Sequence, residues 1–169
     1  MGYKQVSTTT VSGSTASVSL TGIDTDTMYL VTMTNVTMDA DNVYVNARVT
    51  ASSSEVSDSN YQWAARLYRV DTSFSNSYGQ NQNHMRLNAT AVGGSTNESH
   101  QGVLQLHSFN SASTNSVIVE EVIYQNGSNY TLANIGGFTY DSNQAHDGIK
   151  FYPSSGNFLT GVFTLYKIG

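Results

Sequence analysis

The chain has no cysteine, a single proline (Pro153) and few charges, since Asp, Glu, Lys and Arg make up only 11% of its 169 residues. Without cysteine there can be no disulfide, thiolate metal site or cysteine nucleophile, so stability must come from packing. Only seven Lys and Arg are present, scattered, and the net charge is −5. That balance lacks the clustered cations a phosphate backbone requires, so no nucleic-acid partner is expected. No apolar run approaches the roughly 18 residues of a membrane-spanning helix. The opening "MGYKQVSTTTVSGSTASVSL" lacks the apolar stretch of a signal peptide and has Val6 where N-myristoylation wants Ser or Thr. A soluble protein without membrane association is expected. Gly-x-Ser-x-Gly, His-Glu-x-x-His and phosphate-binding loops are also missing, so the expectation is a non-enzyme without cofactor or bound metal.

What is abundant is uncharged polarity. Ser, Thr and Asn account for 58 of the 169 residues, while 38% of the chain is hydrophobic and 11% aromatic, spread along its length. Disordered segments lack that burial capacity, so the chain is read as folded. Its length suits one domain, residues 1–169, with residues 1–12 as an extended arm or an edge strand.

Period-2 alternation carried by β-branched and aromatic residues recurs throughout and predicts strand after strand. Examples are Ala16, Val18 and Leu20; Val43, Val45, Ala47 and Val49; and Met85, Leu87, Ala89 and Ala91. Further runs are "MYLVTMTNV", "YQWAARLYRV", "GVLQLHSF", "SVIVEEVIY", "GIKFY" and "VFTLYKI". The run at 61–70 also has helical spacing (Trp63, Leu67, Val70), but its strand-like neighbours favour a strand. Turn-forming stretches separate the runs, among them "ASSSEVSDSN" at 51–60 and "DTSFSNSYGQNQN" at 71–83. The closing "FYPSSGNFLTGVFTLYKIG" reads as a hairpin. Eight to ten short strands without a helix predict an all-β antiparallel sandwich of jelly-roll type.

Few residues suggest chemistry. His84, His100, His107 and His146 have no ligand-like neighbours at a recognised spacing, and His107, opposite in parity to Leu104 and Leu106, is expected to be a solvent-side or interface histidine. Asp24 with Asp26, and Asp39 with Asp41, resemble fragments of calcium loops but do not continue into one, so bonding to turn amides is the expectation. Glu120 and Glu121 differ in parity and face opposite sides of one strand, which precludes a carboxylate dyad. Five Asn-x-Ser/Thr sequons follow from the composition alone. The remaining candidate is a recognition surface. Tyr61, Trp63, Tyr68, Phe74 and Tyr78, with the amides Asn76, Gln80, Asn81, Gln82 and Asn83, combine stacking area with adaptable hydrogen bonding suited to a glycan or protein partner.

Both ends of the chain carry a resemblance. "SGNFLTGVFTLYKIG" is similar to the ending of a family of small bacteriophage virion proteins of marine phages, cyanophages included. "STASVSLTGIDTDTMYLVTMTNV" resembles that family's opening, "DSNYQWAARLYRVDTSFSNSYG" its middle, and "HDGIKFYPSSGNFLTG" its approach to the last strand. The resemblance implies a β-sandwich on the outer surface of a virion: a capsid decoration or head-fibre protein that forms a homotrimer and binds the major capsid protein or other virion proteins. A tail receptor-binding module is the alternative, with Tyr78 and Trp63 gripping a host surface glycan.

Overall fold

The computed structural model describes residues 2–71, 73–95, 97–128 and 130–169. All of its regular structure is strand, in two antiparallel sheets. The strands are β1 (Tyr3–Val11), β2 (Val18–Thr21), β3 (Tyr29–Met38), β4 (Val45–Ala51), β5 (Ser54–Glu55), β6 (Tyr61–Arg69) and β7 (Phe74–Gln82). They continue as β8 (Met85–Arg86), β9 (His100–His107), β10 (Ser116–Gln125), β11 (Thr131–Tyr140), β12 (Gly148–Pro153) and β13 (Phe158–Ile168).

The larger sheet has the order β1-β13-β3-β9-β10-β11-β6-β7, and the smaller has β2-β12-β4-β5 with β8 also paired to β4. The expected two-sheet antiparallel sandwich is what forms. The eight-plus-five arrangement does not establish the double Greek key of an eight-stranded jelly roll.

Alternation explains the layering. Tyr29, Val31 and Met33 of β3, Leu104 and Leu106 of β9, Ile118, Val122 and Tyr124 of β10, and Phe163 and Leu165 of β13 point inward from the large sheet. Val18, Leu20, Val45, Ala47, Val49, Ile149 and Phe151 meet them from the small one. Inward residues of both sheets therefore share one core, as sandwich packing requires.

Four sequence expectations need correction. The closing segment is not a hairpin: β12 pairs with β2 and β4, whereas β13 pairs with β1 and β3. The turn at 154–157 is thus an arch that crosses between sheets. Asp39 fastens it by accepting from the Asn157 backbone N–H at 2.6 Å, and the Ser154 N–H donates to the Tyr44 carbonyl at 2.8 Å. Second, residues 74–82 are not a loop but the edge strand β7, in register with β6. Third, the alternation from Met85 to Ala91 yields only the two-residue β8. Asn88 ends it by taking the ladder's place: its Oδ1 accepts from Val45 N–H at 2.7 Å, and its Nδ2 donates to the Val43 and Thr90 carbonyls. Fourth, the described residues form 13 strands where eight to ten were expected, the two-residue β5, the edge strand β7 and the whole of β11 making up the excess.

β13 also bulges where it meets β3, between Phe158 and Val162. Gly161 has φ +145 there, and a Cβ would lie 2.9 Å from a Val36 methyl, so conformation and space both call for glycine.

Across the sandwich, the Phe163 ring packs 5.4 Å from Phe151 of the other sheet and 5.3 Å from Phe158. Phe163→Ala is therefore expected to cost about 3–5 kcal/mol, with the cavity adding to the lost burial. Val162→Ala, one residue earlier and facing outward, should cost less than about 1 kcal/mol. Urea denaturation of the two variants checks this, and equal losses would show that Phe163 does not join the sheets.

Candidate functional site

The residues proposed from sequence for recognition do not form one site. Tyr61 and Trp63 face inward on β6. Tyr61 is fully buried, donates its hydroxyl hydrogen to the Val56 carbonyl at 2.6 Å and accepts from Val49 N–H at 3.2 Å. Its ring meets Tyr140 edge-on at 5.1 Å. Trp63 is 6% exposed, and its indole lies flat over Gly79 of β7, where an added Cβ would fall 2.3 Å from the ring. The expectation of two exposed loop aromatics is thus corrected, because strand parity sends both into the core.

Tyr68, Phe74 and Tyr78 are exposed, Tyr78 at 82%, and all three lie on the outer face of the large sheet. Tyr68 opposes Phe74, and Tyr78 opposes Ala64. Asn76 accepts from the Arg66 guanidinium at 2.8 Å, and that guanidinium sits 3.9 Å from the Phe74 ring centroid. Gln80 and Gln82 are tied to each other, the Gln82 amide donating to the Gln80 carbonyl. Asn81 and Asn83 are exposed at the far end of β7, and the Asn83 carbonyl accepts from Arg48 Nε at 2.8 Å.

The three exposed aromatics belong to a larger surface that the sequence reading missed. Register places outward residues in rows running across the strands. One row is Gln105, Val119, Gly137, Ala64 and Tyr78, and the next is Val103, Glu121, Ile135, Arg66 and Asn76. Ile123, Ala133, Tyr68 and Phe74 form a third, and His107 and Val117 begin a fourth. Val103, Val117, Val119, Ile123 and Ile135 are each more than a third exposed. Glu121 and Arg66 are the only charged side chains in these rows. Between Val103, Ile123, Ala133 and Ile135 the face sinks into a shallow groove of about 530 Å³. Contiguous apolar surface of this kind is what interaction sites and ligand grooves on folded domains present. The sequence did contain a signal: in "SVIVEEVIY" both parities are apolar, which a strand with one solvated face does not need.

The titratable groups are mostly structural. Asp24 accepts from the Tyr29 hydroxyl and from Lys167 Nζ, both at 2.8 Å, and these bonds hold its carboxyl down at about 2. Asp41 accepts from the backbone N–H groups of Asn42 and Gly94. Among the described residues, no three His, Cys, Asp or Glu side chains lie close enough to hold one metal ion.

His100 and His146 are buried, and burial lowers each to about 4. His100 stacks on Tyr124, while His146 Nδ1 lies 2.8 Å from the Ser116 hydroxyl. Both are neutral in the fold, so they subtract stability as pH falls from 6.5 toward 4, where the unfolded chain binds protons that the native chain does not. His107 is half-buried on the outward side of β9. Glu120 and Glu121 face opposite sides of β10 as expected; Glu120 is fully buried, and neither of its carboxyl oxygens has a hydrogen-bond partner among the described residues.

No protein-family model matches this chain, and neither a curated protein nor a solved structure matches it at a significant level.

Burial pushes the Glu120 carboxyl well above 4.5, with the neighbouring Asn134 amide pulling the other way. The native state therefore keeps a proton that the unfolded state releases, and stability falls as pH rises past 4.5 until the folded value is reached. Glu120→Gln keeps the shape and removes the ionisation. Its stability advantage over the parent should grow with pH in that window by at most about 1.4 kcal/mol per unit. Denaturation midpoints of both proteins from pH 5 to 9 check this, and a pH-independent difference would show that Glu120 is ionised in the fold.

Proposed function

We propose that this chain is a bacteriophage virion structural protein of the decoration or head-fibre kind, whose copies join through the apolar outer face of the large sheet. The observation that carries the proposal is that face: outward Val103, Val117, Val119, Ile123 and Ile135 on neighbouring strands, with almost no charge among them. A monomer gains nothing from keeping these side chains in water, since each loses the ~25 cal/mol per Å² that burial would supply. A homotrimer closed by rotation would cover the face on every copy. The trimer would then sit on the major capsid protein, where many copies on a symmetric shell supply avidity without strong single contacts. The likeness of the chain's two ends to phage virion proteins supports the same reading. A tail receptor module using Trp63 as a stacking platform is less well supported, because that indole is covered by the sandwich.

The reading has a two-part test. Sedimentation equilibrium should give a trimer for the parent and a monomer for the Val119→Lys/Ile135→Lys double variant, with the far-ultraviolet circular dichroism of a folded β protein kept and the melting temperature lowered by the lost association. Immunogold labelling of source virions should place the protein over the head. A monomeric parent would overturn the assembly, and gold confined to the tail tip would overturn the location.

A further inference from the structure

The outer face of the small sheet carries a second surface of opposite character. Asn46 of β4 forms its floor, flanked in register by Tyr152 of β12 and Arg86 of β8. Tyr44, Arg48 and His84 complete the walls of a depression of about 350 Å³, within the lower range of sites that hold small ligands. The Arg86 guanidinium lies 4.2 Å from the Tyr44 ring centroid and that of Arg48 lies 5.1 Å from Tyr152, so each aromatic wall holds a cation at the rim.

Two groups in this depression lack partners. Asn46 is 5% exposed, and its Oδ1 accepts no hydrogen bond from the described residues. Arg86 makes no ion pair among the described residues, and its Nε is buried without an acceptor. Its neighbours differ, because Glu55 takes both Arg48, at 3.2 Å, and Lys150, at 3.3 Å. A buried acceptor on Asn46 and a buried Nε–H on Arg86, both without partners, are costly in a folded domain unless something supplies the missing donor and the missing acceptor, and the guanidinium at the rim favours an acceptor that is anionic. A water molecule supplies the donor but not the charge.

We propose that this depression binds an acidic sugar, its carboxylate taken by the Arg86 guanidinium and a ring hydroxyl donating to Asn46 Oδ1. A carboxylate matches the planar guanidinium fork, and hydroxyls beside a carboxylate are what uronic acids present. The overall charge of −5 argues against indiscriminate attraction of anions, so recognition rests on these local groups. The site lies on a different sheet from the apolar face and does not depend on the assembly proposed above.

Trp63 is the chain's one tryptophan, and its ring lies 6.0 Å from that of His84 and 5.9 Å from the Arg86 guanidinium. Its fluorescence therefore reports on the depression. The full chain would be titrated with a glucuronate-containing tetrasaccharide, with the same tetrasaccharide after its carboxyls are reduced to hydroxymethyl groups, and with inorganic phosphate. The proposal expects a saturable fluorescence change with the acidic form and binding weakened about tenfold or more on carboxyl reduction. Arg86→Gln should weaken it comparably, while Tyr44→Leu, which removes the wall that holds Arg86, should give an intermediate loss. Melting temperatures establish that both variants are folded. No saturable change, equal affinity for the reduced tetrasaccharide, tighter binding of phosphate, or unaltered affinity in folded Arg86→Gln would each overturn it.

Discussion

The fold depends on where its last strand goes. β13 inserts between β1 and β3, so the large sheet's first, second and third positions are held together by residues more than a hundred positions apart. Its partner in sequence, β12, is the strand that joins β2 to β4 in the other sheet. The arch between them therefore ties both sheets with one short turn. The Phe151, Phe158 and Phe163 rings pack at the crossing, so covalent continuity and hydrophobic contact act at the same place. A chain without cysteine has few other ways to fix two sheets face to face. Contacts of such long sequence separation also imply slow folding, because loop closure must precede the burial that rewards it.

The two outer faces diverge from this common core. On the large sheet, the central strands β9, β10 and β11 have apolar residues on both sides, a pattern associated with strands buried on both faces. On the small sheet, the outward positions of β4, β8 and β12 carry Arg48, Arg86 and Lys150, three of the chain's seven Lys and Arg. One face would lower its free energy by excluding water, and the other by meeting an anion. A sandwich can present both at once because its strands alternate, so outward side chains are chosen almost independently of those that fill the core.

Much of this was legible in the sequence, and the failures have physical causes. Strands with strong alternation, such as β4, β9 and β10, declared themselves. β7 did not, because "FSNSYGQNQ" has the composition of a turn region; it is strand only because β6 offers a ladder and Trp63 needs the space over Gly79. The supposed terminal hairpin failed for a different reason. A Pro-Ser-Ser-Gly-Asn turn shows that the chain reverses, but not whether the returning strand bonds to its predecessor or crosses to the opposite sheet. Tyr61 and Trp63 were legible after all: they share parity with Ala65 and Leu67, which places the four on one inward face. Their aromatic character suggested recognition, whereas their spacing already indicated the core.

The basic depression could not have been read from the sequence, for a reason that bears on what it does. Its groups come from residues 44 to 48, 84 to 86 and 152, brought together by pairing of β4 with β8 on one side and β12 on the other. No local motif links them. Asn46 would have been read as an ordinary solvent-facing polar residue of an alternating strand, and Arg86 as a surface charge. Only the assembled sheet shows that the first is buried and that the second has no ion pair among the described residues. Burying a polar atom without a partner weakens a fold, and a rim guanidinium without a carboxylate adds nothing to offset it. The nearby Glu55 shows that this sheet can supply a carboxylate to its cations, yet it serves Arg48 and Lys150 and leaves Arg86 open. Retaining that uncompensated pair beside two tyrosines makes physical sense when a ligand completes it, as an anionic hydroxyl-bearing molecule would.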